Sequence, residues 1–153
     1  MTRRLLSMFV LLGGLLAWVR TQPALAFPTS CQLMTPSDVA TVLHVTVKSG
    51  YRASAAEGEG DLCLYGGVAS LIVLHTNLTK YNAIIQNQAQ MGPVTPVSGV
   101  GEKAAFTTTG QNKLVVYAKG FIVEVWVSTA AGRTRDAAMS AAKEFARVAL
   151  SRL

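Results

Sequence analysis

The stretch KLVVYAKGFIVEVWVST, residues 113–129, decides the architecture of this chain. Lys113 to Ala118 and Phe121 to Thr129 are rich in apolar and β-branched residues, and Lys119-Gly120 joins them, so the segment reads as two strands of an antiparallel hairpin. In the second strand the two-residue period puts Phe121, Val123, Val125 and Val127 on one face, and Ile122, Glu124, Trp126 and Ser128 on the other. A helix is expected next, from about Thr134 to Arg152, with Ala138, Ala142, Phe145, Ala149 and Leu153 along one side. Its alanines permit close approach to a sheet. Strands with an apolar face, beside a helix with an apolar side, specify an α+β fold. The expected form is a two-layer sandwich: a mainly antiparallel sheet packed by this long C-terminal helix and two shorter helices.

The shorter helices lie upstream. Thr35-Pro36-Ser37-Asp38 opens the first: Thr35 caps, Pro36 suits the first helical position, and Asp38 complements the positive helix end. Val39, Val42 and Leu43 form its buried stripe, it ends at His44, and Val45-Thr46-Val47 beyond it reads as a strand. Ala53 to Gly60 has the small, acidic, glycine-rich composition of a surface loop. Leu62 to Tyr65 and Ala69 to Thr76, separated by Gly66-Gly67, read as a hairpin with Cys63 and Tyr65 on one face of the first strand. Asn77 to Gln90 is the second short helix; Gly92-Pro93 ends it, and an irregular link through Pro96 to Gly99 follows.

Residues 1–26 have the order of an export signal: Arg3-Arg4, an apolar run from Leu5 to Val19, then Ala24-Leu25-Ala26 before Phe27. The run is shorter than the roughly 20 residues of a spanning helix, so a cleaved leader is expected, followed by one domain over residues 27–153. Membrane contact is then limited to the leader before cleavage. Lipid attachment needs a small residue directly before a cysteine with leucine further back, whereas Cys31 follows Phe27-Pro28-Thr29-Ser30. The expected location is periplasmic or secreted. Without the leader the net charge falls from +6 to +3, because Arg3, Arg4 and Arg20 leave with it. That removes the main support for a nucleic-acid partner. In an oxidising compartment Cys31 and Cys63 are expected to pair; a redox or metal pair would call for C-x-x-C spacing or further ligands.

Several short motifs together resemble a family of small exported bacterial proteins of unknown function. They are Cys31-x-Leu33-Met34-Thr35-x-x-Asp38-Val39, Cys63-x-Tyr65, Val97-x-Gly99-x-Gly101-Glu102-x-Ala104, and an alanine-rich terminal helix. Many members of that family are lipoproteins that begin Cys-x-Leu-Leu-Thr after the leader. The resemblance spans residues 31–153 and implies an α+β fold like that of the photosynthetic PsbP subunits, with no reaction attached. Where the family has glycine after the first helix, this chain has His44, a residue that tolerates the left-handed conformation.

Gly99-Val100-Gly101-Glu102-Lys103-Ala104 fits the G-x-G-x-x-A dinucleotide fingerprint in letters only. The fingerprint functions between a buried strand and a helix N-terminus, whereas here prolines precede it and β-like sequence follows. A tight glycine turn against the sheet is the better reading. His44 and His75 are the only histidines, and His75 ends an apolar strand, where it is either a ligand candidate or a surface polar residue. No Gly-x-Ser-x-Gly elbow is present, and no metal or cofactor is expected. Among the acidic residues Glu124 stands out, because it interrupts an apolar strand between Ile122 and Trp126 and can mark a partly open groove. The plainer alternative is that this face meets solvent.

The composite expectation is an exported, non-catalytic binding or accessory domain for an envelope component, protein partner or small ligand. Binding candidates are Glu124, Trp126, Gly99, Gly101 and His75. The rival is a small hydrolase whose active site only the fold can assemble.

Overall fold

The computed structural model describes residues 27–54, 60–108, 112–130 and 132–153. The expected leader, residues 1–26, and the centre of the expected acidic loop, residues 55–59, lie outside them. In chain order the elements are α1 (Ser30–Leu33), α2 (Pro36–Leu43), β1 (Tyr51–Ser54), β2 (Asp61–Tyr65), β3 (Ala69–His75), α3 (Leu78–Met91), β4 (Val94–Val97), β5 (Lys103–Thr107), β6 (Lys113–Ala118), β7 (Phe121–Val127) and α4 (Arg135–Ser151). The seven strands form one antiparallel sheet in the order β1-β2-β3-β7-β6-β5-β4. This is an α+β fold with the C-terminal helix packed on the sheet. No helix among the described residues is long and apolar enough to cross a membrane.

The 113–129 hairpin forms as its sequence requires. Lys119 and Gly120 both have positive φ, 54° and 78°, the conformation that a two-residue turn needs between right-twisted strands. Phe121, Val123, Val125 and Val127 face the main core with Leu71, Leu114, Val116 and Phe145. Leu71, Leu114, Val123, Val125 and Phe145 are fully buried. Helix α4 supplies Ala138, Ala142, Ala146 and Ala149 to this face, and their small side chains let the helix lie close to β6 and β7. Thr134 caps its N-terminus by accepting from the Ala137 N–H.

One face of β2 holds the N-terminal segment at three successive inward positions. Asp61 accepts from the Ser30 N–H at 2.6 Å and from the Ser30 hydroxyl. Cys63 is disulfide-bonded to Cys31. The buried Tyr65 hydroxyl donates to the Met34 carbonyl. Residues 61, 63 and 65 share a face because side chains alternate along a strand, so a single turn of helix is held by an ion-assisted cap, a covalent bond and a buried hydrogen bond. The Gly66-Gly67 turn that returns β2 into β3 has φ of 56° and 73°.

Two expectations are corrected. Val45-Thr46-Val47 forms no strand: His44 ends α2 in the left-handed conformation, φ 53°, and Val45 and Val47 pack against the core edge without a ladder partner. The strand begins later, at Tyr51, and takes Ala53 and Ser54 out of the expected loop. The link after Pro93 is also a strand, β4. Pro96 is tolerated because β4 is the sheet's outer strand, where a missing N–H breaks no ladder.

Asp38 ties the ends of the domain together. It caps α2 through the Thr35 N–H and hydroxyl, both at 2.7 Å, and takes a bidentate pair from Arg152 at 2.6 and 2.9 Å. Arg152 also donates to the Leu33 carbonyl at 2.8 Å. The Arg152 guanidinium, aided by Thr35 and opposed by partial burial, holds the Asp38 carboxyl down at about 2 against an ordinary 3.8. A depressed carboxylate pKa stabilises the fold above about pH 4, and that stability is lost as pH falls through about 2. Replacing Asp38→Asn is expected to cost roughly 1–2 kcal/mol near neutrality, a figure reduced for the solvent exposure of Arg152. The substitution also flattens the acid limb of a urea-midpoint profile; an unchanged limb contradicts the assignment.

Candidate functional site

Antiparallel register arranges the face of the sheet opposite α4 into rows. One row runs Tyr51, Leu64, Ser70, Trp126, Lys113 from β1 to β6. The next runs Ala53, Leu62, Ile72, Glu124, Val115, Ala105. Helix α3 covers only part of this face. Its Tyr81 packs with Val115 and Ile122 as a second, smaller core, with Leu74, Leu78, Ile84, Ile85 and Tyr117 around it. Asn77 caps α3 by accepting from the Lys80 N–H. From that start, Lys80, Ile84, Asn87 and Gln88 follow helical spacing along one edge of α3.

Between this edge of α3 and the sheet lies a groove of about 280 Å³. The sheet contributes Ile72, Leu74 and Ile122, with Lys113 and Glu124 at one side; α3 contributes Lys80, Ile84, Asn87 and Gln88. The volume is at the small end of ligand pockets, which run from roughly 300 Å³ upward. Lys113 Nζ and Glu124 Oε2 are paired at 2.6 Å, with side-chain exposures of 26% and 14%. Water therefore reaches both charges only in part, which strengthens their attraction relative to an open surface pair. The Gln88 Oε1 atom is buried and accepts no hydrogen bond from the described residues.

The groove includes one of the five sequence candidates, Glu124, and Trp126 is the direct cross-strand partner of the groove residue Lys113. The other three lie elsewhere. His75 is on the opposite face, opposite Phe121 in the register, with its ring stacked on Phe27 at 4.6 Å and tilted against Phe121 at 5.0 Å. Gly99 and Gly101 form the turn between β4 and β5, with φ of 75° and 62°. A Cβ at Gly101 would lie 2.5 Å from Val116 Cγ1 and 2.8 Å from the Tyr117 carbonyl oxygen. This glycine lets the loop approach β6, where Glu102 N–H donates to Tyr117 O and the Glu102 carboxylate accepts from the Lys119 N–H. The G-x-G-x-x-A letters lead into strand β5, where no helix N-terminus receives a pyrophosphate.

His44 caps α2 far from His75 in the sequence, and neither histidine lines the groove. The described residues contain no group of three His, Cys, Asp or Glu side chains arranged to hold a metal. Reading the sequence alone missed Lys80, Lys113, Asn87 and Gln88. Lys113 had a signal: counting outward from the Lys119-Gly120 turn puts it opposite Trp126, within diagonal reach of Glu124. Comparisons with protein-family models, curated proteins and solved structures find no match for this chain.

Proposed function

We propose that this chain is a non-catalytic binding domain working outside the cytoplasm, and that the groove between α3 and the sheet is its recognition site. The observation that carries the reading is the Lys113–Glu124 pair, held half-buried beside an apolar floor of Ile72, Leu74 and Ile122. Apolar walls with a few fixed polar groups are the common composition of small-ligand sites. The leader pattern of residues 1–26 and the Cys31–Cys63 bond support export. The resemblance to exported proteins points the same way.

An uncharged environment-sensitive dye, N-phenyl-1-naphthylamine, tests the reading. Its emission is expected to rise on binding the wild-type chain and to be lost in Ile84→Arg, which places a charge on the groove wall. Circular dichroism and the thermal midpoint check that this variant folds. No rise with the wild type, or an undiminished rise with folded Ile84→Arg, contradicts the assignment.

A further inference from the structure

We infer that the groove selects a small apolar carboxylate, a molecule with an alkyl or similar body and a single negative head. This inference rests on the groove being the binding site. Two lysines and one glutamate line it, Lys80, Lys113 and Glu124. Glu124 is already compensated by Lys113 at 2.6 Å. Lys80 has no ion-pair partner among the described residues, so the groove has one uncompensated positive charge.

The position of that charge defines a ligand shape. Lys80 and Ile84 are one helical turn apart, and Asn87 is three residues further along α3. Ile84 faces the same groove as Ile72 and Ile122 on the sheet. A carboxylate at Lys80 leaves the attached alkyl body over these isoleucines, with the Asn87 amide about two helical turns away toward the far end of that body. That placement removes apolar surface from water and supplies the missing negative charge together.

Other head groups match the groove less well. A neutral alcohol gains the apolar contact but leaves Lys80 without a counter-charge. An alkylammonium is repelled by Lys80 and must compete with Lys113 for Glu124. The small volume of about 280 Å³ favours a short-chain or medium-chain body.

Octanoate, octanol and octylamine share one body and differ in head group, so competition with the neutral dye isolates the charge. Octanoate is expected to displace the dye at the lowest concentration, at least about threefold below octanol, with octylamine weakest, as for a modestly screened ion pair. Raising the ionic strength should weaken octanoate and leave octanol unchanged. Lys80→Met should weaken octanoate about threefold without changing octanol, whereas Glu124→Gln, by freeing Lys113, should tighten it. A general loss of fold moves all three competitors together and does not produce these opposite effects. Octanol or octylamine equal to octanoate, with the dye still bound in the groove, overturns the carboxylate inference and leaves the binding site standing. A dye that never enters the groove overturns both.

Discussion

Replacing Cys31 and Cys63 together by alanine is expected to lower the unfolding free energy by roughly 3.5 to 4 kcal/mol, the chain-entropy value for the loop that the bond closes. The two residues are 32 apart in sequence, and the loop includes α2 and β1. The loss is large because α1 has only four residues, too few to persist as an isolated helix. Its remaining hydrogen-bond ties are the Asp61 bonds to Ser30, the Arg152 bond to the Leu33 carbonyl and the Tyr65 bond to Met34. Urea titration of the wild type with and without reductant, beside the double variant, measures the effect. The reduced wild type and the variant should share a lowered midpoint. A midpoint unmoved by either change contradicts a structural role for the bond.

Gly101→Ala is expected to destabilise the domain by about 3 kcal/mol or more, and Gly99→Ala by only about 1–2 kcal/mol. Both glycines have positive φ, so each substitution incurs left-handed strain. Only at Gly101 does the added methyl also meet the Tyr117 carbonyl and the Val116 side chain, which belong to a central strand with little freedom to move. Nothing lies within 4 Å of the corresponding position at Gly99. Thermal or urea unfolding of the pair separates strain from close packing, and equal losses would remove the second contribution. The comparison also tests why the two glycines are there: a turn seated against β6 predicts the asymmetry, which a phosphate-cradling loop does not.

Elements fixed by local chemistry were legible in the sequence. The Lys119-Gly120 and Gly66-Gly67 turns, the Thr35 cap, Pro36 at the start of α2, and the start near Thr134 and alanine side of α4 all depend on neighbours within a few residues. The face assignment along β7 followed from alternation and holds through Val127. Strands β1 and β4 were misread because β-structure is completed by a partner: Val45 to Val47 has better strand composition than Tyr51 to Ser54, yet only the latter meets β2. Pro96 concealed β4, since proline argues against a strand unless the strand is known to be an outer one.

The site was harder to see for the same reason. Its walls come from residue 72 at one extreme to residue 124 at the other, through four separate elements. Lys80 and Asn87 look like the solvated side of a weakly amphipathic helix until α3 is laid against the sheet. Glu124 alone announced itself, through its intrusion into an apolar run. Composition held a further clue: the chain has four isoleucines, Ile72, Ile84, Ile85 and Ile122. Three of them line the groove, and Ile85 packs in the small core beside it.

That distribution provides the most direct test of a binding site between α3 and the sheet. Isoleucine δ1-methyl labelling gives four resonances, and titration with N-phenyl-1-naphthylamine should shift those of Ile72, Ile84 and Ile122 most strongly. Saturable shifts at these three methyls, lost in the Ile84→Arg variant for the two that remain, are the predicted result. Four unmoved isoleucine methyls while the dye binds would place recognition elsewhere on the molecule and contradict the groove as the site.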